Sequence, residues 1–129
     1  MTHPNEDLMR TGYAAFAAQD IPTVLGIFHP DITWAEGNHN AVSGHYTGHD
    51  EVVAFFTKLF ELTDGTFALA VQQVIADDTG AVVIVNATAT RDGQALAWRA
   101  AHLWRIESGK ATSFEDFVSD GQAIDAAFA

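Results

Sequence analysis

The second half of the chain alternates long strand-like segments with very short turns, and this pattern limits the possible folds more than any other feature. The four strand-like segments span residues 67–76, 81–90, 95–107 and 111–119. Asp92-Gly93 and Ser108-Gly109-Lys110 are hairpin-type turns, and the acidic 77–80 cluster is a third. The pattern therefore predicts a four-stranded antiparallel meander.

The third of these segments places one histidine on a face that is otherwise apolar. Because side chains alternate across a strand, His102 shares its face with Trp98 and Trp104, while Asp116 shares a face of the next strand with Phe114. Counting back from the turn sets His102 opposite residue 115 or 116. A lone imidazole and a lone carboxylate are costly to bury. We therefore expect His102 and Asp116 either to pair in the core or to line a cavity.

Helices are predicted at the start, middle and end of the chain. Asn5 is a candidate N-cap for the first helix, and Asp20, before Ile21-Pro22, is one for a short second helix. Hydrophobic spacing predicts a third helix over 50–62, and a last short helix is predicted over 120–128.

A short strand over 31–36 and a polar loop over 37–48 separate the second and third helices. Helices followed by a long meander are typical of the α+β class. We expect the helices to cover one face of the sheet, and the long strands to bend around a pocket. The chain shows no internal repeat or linker, so residues 1–129 are predicted to form a single domain.

Composition excludes several classes of function. Hydrophobic residues make up 48% of the chain, which is typical of a globular protein. Six Lys and Arg residues oppose seventeen Asp and Glu residues, and the formal charge of −11 disfavours nucleic acid and anionic membranes as partners. The chain has no cysteine, which rules out disulfides, thiolate metal sites and a cysteine nucleophile. Neither a signal peptide nor a membrane-spanning run is recognisable, so we expect a cytoplasmic protein.

Four strings resemble the nuclear-transport-factor-2-like (NTF2-like) superfamily, in particular its SnoaL-like and ketosteroid-isomerase-like members. They are FHPDITW at 28–34, SGHYTGHDEVVAFF at 43–56, HLWRI at 102–106 and GKATSFEDF at 109–117. The resemblance implies a conical fold with a curved antiparallel sheet around N-terminal helices (a cystatin-like cone), an internal pocket and a homodimer. Arg99 and Arg105, opposite the His102 face, are then expected to meet acidic groups of the outer surface or of a dimer partner. The superfamily includes isomerases, hydrolases, cyclases and non-catalytic binders, so it implies a fold more specifically than a reaction.

The resemblance also implies three catalytic residues. Glu36 falls on the aspartate base of ketosteroid isomerase, and a neighbouring Trp34 would favour a raised pKa. His102 falls where the isomerase has a protonated aspartate that donates to the oxyanion. Asp116 falls on the last-strand acid/base of SnoaL-like cyclases and limonene-type epoxide hydrolases. The structural alternatives are a solvent-facing Glu36, a core His102 bonded to Tyr13 or to a carbonyl, and a buried pair with no chemical role.

The chain departs from these family patterns at two places. The isomerase tyrosine falls on Gly12, and the adjacent Tyr13 lies about 100° further around the helix. The arginine and second aspartate of the epoxide hydrolases fall within Asn-Ala-Thr-Ala at 86–89. Neither specific reaction therefore transfers to this chain.

An apolar pocket is expected beside the three candidate catalytic residues. Its predicted wall comprises Tyr13, Phe16, Trp34, Tyr46, Phe56, Leu59, Trp98 and Phe114. His39, His45 and His49 match no compact metal motif, and we expect neither metal nor cofactor.

We predict a cofactor-independent enzyme of isomerase, cyclase or hydrolase type. It would use general acid/base catalysis on a small apolar carbonyl or polyketide-like molecule. The alternative is a non-catalytic domain of the same fold that binds a small ligand or mediates dimerisation.

Overall fold

Six strands form one open, curved sheet, and helices pack against one of its faces. The structure is a computed structural model that describes residues 2–129. Its elements are α1 Pro4–Ala17, α2 Ile21–Gly26, β1 Phe28–Glu36, β2 Gly44–Thr47, α3 Gly48–Leu62, β3 Ala68–Asp77, β4 Gly80–Arg91, β5 Gln94–Glu107, β6 Lys110–Val118 and α4 Gly121–Ala127. The spatial order of strands is β2-β1-β6-β5-β4-β3. The predicted α+β class is confirmed.

The predicted meander is present, because β3, β4, β5 and β6 pair antiparallel in chain order. Two of its turns have the backbone that short hairpins require. Asp92 and Gly93 have φ values of 51° and 78°, and Ser108 and Gly109 have φ values of 50° and 76°. Positive φ at both central residues matches the twist of the flanking strands.

The region before the third helix differs from prediction. β1 begins at Phe28 instead of residue 31 and pairs parallel with β6. The predicted polar loop over 37–48 also contains β2, in which Tyr46 pairs with Trp34 of β1 and packs its ring 5.1 Å from that of Phe55. These partners come from the tertiary structure, and the local polar sequence carries no signal of them.

The predicted cap of the first helix is wrong, whereas that of the second is confirmed. His3, not Asn5, is the N-cap of α1, and its Nδ1 accepts a hydrogen bond from the Asn5 amide at 3.0 Å. Pro4 is suited to the first helical turn because its missing N–H would have no partner there. Asp20 caps α2 through a hydrogen bond from the Thr23 amide at 3.3 Å.

The helices and the covered face of the sheet enclose an aromatic core. Trp34 stacks on Phe114 with ring centroids 3.8 Å apart, and Phe56 meets Trp34 edge-on at 5.4 Å. Within residues 2–129, the buried polar residues are Thr63 and His102. Thr63 is satisfied locally, because its hydroxyl donates to the Leu59 carbonyl at 2.8 Å. The burial of His102 therefore needs a tertiary explanation.

Across residues 2–129, no helix combines the length and the apolar character needed to cross a membrane.

Candidate functional site

Three titratable side chains lie in a row across three neighbouring strands. Glu36 of β1 is the register partner of Asp116 of β6, and Asp116 is also the register partner of His102 of β5. The predicted pairing of His102 with residue 115 or 116 is therefore confirmed. Glu36 joins the row because β1 runs parallel to β6, a pairing that the sequence did not predict.

Two tryptophan indoles donate hydrogen bonds to the ends of this row. Trp34 Nε1 donates to Glu36 Oε1 at 2.9 Å. At the other end, Trp104 Nε1 donates to Tyr13 Oη at 3.1 Å, and Tyr13 Oη is hydrogen-bonded to His102 Nδ1. Tyr13 therefore reaches His102, which was one of the alternatives that the sequence left open for this histidine.

Asp116 is the least satisfied member of the row. Its Oδ1 lies 3.5 Å from His102 Nε2, which is longer than a good N–H···O hydrogen bond. That oxygen is buried, and among residues 2–129 it has no hydrogen-bond partner. A buried carboxylate oxygen without a partner is costly, so Asp116 is suited to bind a ligand group or to take up a proton.

The electrostatics assign different protonation states to the members of the row. Burial raises the pKa of Glu36 well above its ordinary value, and repulsion from Asp116 raises it further. Burial lowers the pKa of His102, an effect that the neighbouring Asp116 partly offsets. Burial also raises the pKa of the Tyr13 hydroxyl. Burial therefore favours the protonated form of Glu36, the neutral imidazole of His102 and the neutral phenol of Tyr13.

The row opens onto an apolar cavity with a volume of about 110 Å³. This volume is several times the roughly 10–15 Å³ that a single water needs. Glu36, His102 and Asp116 all line it. The predicted wall residues that line it are Tyr13, Phe16, Trp34, Phe56, Leu59, Trp98 and Phe114.

Tyr46 is the exception among the predicted wall residues. It is absent from the wall, and its hydroxyl donates to the Val42 carbonyl at 3.0 Å. The pairing of β2 with β1 sets Tyr46 at the edge of the sheet, where its ring covers Phe55.

Three residues of the cavity wall were not predicted from the sequence. Asn38 and Asn40 from the loop, together with Phe128 after α4, belong to the wall. The Ala41 amide donates to the Phe128 carbonyl at 2.8 Å, and Asn40 Nδ2 donates to Asp125 Oδ1 at 3.0 Å. No local signal marks these residues, because more than 80 positions separate the loop from α4.

The three loop-region histidines do not converge. His39 donates its backbone amide to Asp125, and His49 Nε2 lies 3.2 Å from the Phe28 carbonyl. In the part of the chain that the structure describes, 2–129, no group of three or more His, Asp or Glu residues is arranged to hold a metal ion.

Comparison with known proteins agrees with this architecture. A family model of the SnoaL-like domain matches residues 9–114, and the chain belongs to this family of the NTF2-like superfamily. Together, the family and the cavity define a small-molecule-binding fold. Uncharacterized proteins of Mycobacterium tuberculosis and Mycobacterium bovis are 31% identical over 124 residues, covering 95% of this chain and 95% of each relative.

Two solved structures share nearly the whole fold. A protein from a soil-derived mobile gene cassette superposes with a TM-score of 0.93 at 25% identity, covering 98% of this chain and 97% of its own. TerC, which was co-crystallized with polyporic acid, superposes with a TM-score of 0.87 at 26% identity, covering 98% of each chain.

Proposed function

We propose that this protein is a cofactor-independent enzyme that transfers protons on a small apolar carbonyl compound held in the cavity. Asp116 is the general base, Glu36 the general acid, and His102 positions the Asp116 carboxylate. Substrates of this class include polyketide-like molecules, and the products are those of an isomerase or a cyclase.

The observation that carries this proposal is the contrast between two adjacent carboxyl groups. Burial and Asp116 raise the pKa of Glu36, which favours its protonated form, whereas Asp116 presents an oxygen without a protein partner. A buried carboxyl group whose pKa is raised is suited to act as a general acid beside a second carboxyl group that acts as the base. Both groups lie in the wall of one apolar cavity, which strengthens their interactions with a bound molecule.

The proposed step balances without a cofactor. The Asp116 carboxylate takes a proton from the carbon next to the substrate carbonyl, and the electron pair of that C–H bond moves towards the carbonyl oxygen. Glu36 donates its proton to this oxygen, which gives an enol. In an isomerisation, Asp116 returns its proton to a different carbon and Glu36 recovers its own from the enol hydroxyl. In a cyclisation, the enol carbon forms a bond to the carbon of a second carbonyl group, whose oxygen takes the proton from Asp116, while Glu36 recovers its own proton from the enol hydroxyl.

The similarity to TerC, which was co-crystallized with polyporic acid, supports a small organic molecule as the ligand of the cavity. The cavity wall contains many aromatic side chains, including Trp34, Trp98 and Phe114. Such a wall suits a flat apolar molecule better than a sugar or a peptide.

Hydrogen–deuterium exchange tests the proposal without knowledge of the natural substrate. A panel of apolar ketones such as 2-tetralone is incubated in D2O with the protein, and loss of the α-proton signal is followed by NMR. We expect the wild type to accelerate exchange and Asp116→Asn to lower the rate about 100-fold or more. Glu115→Gln is the matched control, because Glu115 is exposed on the same strand and carries the same charge.

Exchange at the uncatalysed rate with the whole panel, or wild-type rates in Asp116→Asn, would refute the proposed enzyme. The second candidate, a non-catalytic binder, is favoured by the protein hydrogen bonds at both ends of the row, from Trp34 to Glu36 and between Tyr13 and His102. In that case His102 and Asp116 are structural, and removing one partner should destabilise the fold by about 3–5 kcal/mol. Removal of a catalytic group from a cavity, in contrast, often leaves the stability of the fold unchanged.

We further propose that the protein forms a homodimer through the outer face of its sheet. An apolar patch crosses four strands there and consists of Ile75, Val82, Ile84, Leu103 and Phe117. Ile75 and Phe117 are 55% and 51% exposed. A contiguous exposed apolar patch is typical of an interaction surface. The exposed Arg99 and Arg105 flank it and suit a partner that is itself acidic.

A further inference from the structure

We infer that the ligand of this cavity offers a hydrogen-bond donor, a hydroxyl or an amine, to Asp116 Oδ1 and carries no negative charge. This inference rests on the proposal that the cavity is the binding site, and it goes further by stating the charge and polarity of the molecule bound there. It does not require the protein to be catalytic.

The cavity wall contains acidic groups but no cationic side chain. Glu36 and Asp116 line it, and within residues 2–129 no lysine or arginine does. Arg91 lies behind Phe128, with its guanidinium carbon 5.7 Å from the ring centroid, and donates to the Ala127 carbonyl at 2.7 Å. An anionic ligand would therefore lose its hydration beside a carboxylate and gain no counter-charge. Like charges in such an apolar site repel strongly.

The hydrogen-bonding groups of the wall are mostly engaged within the protein. The indole N–H of Trp34 is bonded to Glu36, and that of Trp104 is bonded to Tyr13. The Tyr13 hydroxyl is in turn bonded to His102. These contacts leave few donors for a ligand that only accepts hydrogen bonds.

The Asn40 amide at the loop end is engaged as well. It donates to Asp125 at 3.0 Å and accepts from the Val42 amide at 3.0 Å.

Asp116 Oδ1 is different, because it is an acceptor that no group of the described chain satisfies. His102 Nε2 is the nearest donor and lies 3.5 Å away. A ligand hydroxyl or amine would supply the missing hydrogen bond, and bonds to a charged acceptor are the stronger kind. Around this oxygen the wall is apolar and aromatic, so the rest of the ligand is expected to be a hydrocarbon or aromatic skeleton.

Three naphthalenes of similar size test this inference by calorimetric titration: 2-naphthol, 2-methoxynaphthalene and 2-naphthoate. The first has a donor, the second has the same oxygen without one, and the third is an anion. We expect the wild type to bind 2-naphthol at least about tenfold more tightly than 2-methoxynaphthalene, and 2-naphthoate most weakly. In Asp116→Asn the preference for naphthol over naphthoate should fall, whereas Glu115→Gln should keep it.

Equal affinity for naphthol and its methyl ether, or tighter binding of naphthoate, overturns the inference, as does failure of the wild type to bind any of the three. These outcomes need only the wild-type protein, so they stand even if Asp116→Asn does not fold. They are also separable from the proposed catalysis. Loss of the donor preference with intact Asp116-dependent exchange refutes the ligand class alone, whereas the reverse result refutes the enzyme and leaves the ligand class in place.

Discussion

Tyr13 determines which nitrogen of His102 carries the proton. Because Trp104 donates its indole N–H to Tyr13 Oη, the phenol hydrogen is free to point at His102 Nδ1. Nδ1 is then an acceptor, and the neutral imidazole must carry its hydrogen on Nε2, the nitrogen that faces Asp116. A neutral His102 is expected because burial lowers its pKa.

We predict that in Tyr13→Phe the imidazole of His102 is no longer restricted to the tautomer with its hydrogen on Nε2. In the wild type, nitrogen-15 NMR should show His102 protonated at Nε2, and the variant should show a mixture of tautomers. Two buried groups lose a partner, so the free energy of unfolding should fall by about 1–3 kcal/mol. Tyr46→Phe is the control, since Tyr46 is not part of the cavity wall and its hydroxyl bonds the backbone carbonyl of Val42. A wild-type His102 protonated at Nδ1 would contradict the assignment.

Glu36 predicts a pH dependence of stability. Its pKa in the folded protein lies above the ordinary value of 4.5, so the folded state holds a proton that the unfolded state releases above that pH. The folded state then binds more protons than the unfolded state, and Glu36 makes the protein less stable as the pH rises from 4.5 towards its folded pKa.

Glu36→Gln tests this pH dependence, because glutamine keeps an acceptor for the Trp34 indole but cannot ionise. We expect its free energy of unfolding, relative to wild type, to increase between pH 5 and pH 8 in urea titrations. The comparison cancels the opposite contribution of His102, which both proteins contain. If the difference in unfolding free energy between Glu36→Gln and wild type does not change with pH, the pKa of Glu36 is not raised in the folded protein.

At the scale of elements, the site depends on how closely β4 approaches β5. Gly80, the first residue of β4, pairs with Arg105, and a Cβ atom at Gly80 would lie 2.0 Å from the Trp104 carbonyl oxygen. This carbonyl belongs to the backbone, so it cannot move aside as the end of a flexible side chain can. The same segment of β5 carries Trp104 and His102, so a shift there would disturb the row.

We predict that Gly80→Ala destabilises the protein by about 1–3 kcal/mol, as expected for overpacking. Gly26→Ala is the control, because a Cβ atom at Gly26 meets nothing within 4 Å and alanine favours the helix. Thermal unfolding of both variants measures the difference. Equal stabilities would mean that β4 and β5 can separate without cost at this point.

For the whole molecule, the outer apolar patch predicts the oligomeric state. We expect the wild type to sediment as a dimer at micromolar concentration and Phe117→Glu to sediment as a monomer, because a buried unpaired carboxylate would be costly. Thr57→Glu adds the same charge at an exposed position of α3 and should leave the dimer intact. A monomeric wild type, or a dimeric Phe117→Glu, would exclude this face as the interface.

Alternation along single strands was enough to predict part of the site. His102 and Asp116 face inward because each shares a strand face with large aromatic residues, and the turn at Ser108-Gly109 sets their register to within one residue. A register shift between Arg105 and Ile106 then places His102 opposite Asp116 instead of Glu115. Turn residues and the alternation of side chains along a strand act over only a few residues, so both can be predicted from the sequence alone.

Contacts between distant segments could not be read in the same way. Residues 44–47 look like a polar loop, and they form β2 only because β1 provides an edge to pair with. Likewise, the part of the cavity wall formed by Asn38 and Phe128 depends on α4 returning to the loop.

The sequence by itself determined the α+β class, the antiparallel meander and the inward His102–Asp116 pair, since short-range periodicity and turn geometry specify all three. Only the tertiary structure decided that Glu36 joins this pair, that Tyr13 reaches His102, and that Asp116 keeps an oxygen without a protein partner. Those facts depend on a parallel strand pairing and a helix docking between residues some 80 positions apart, and no local pattern encodes such distances.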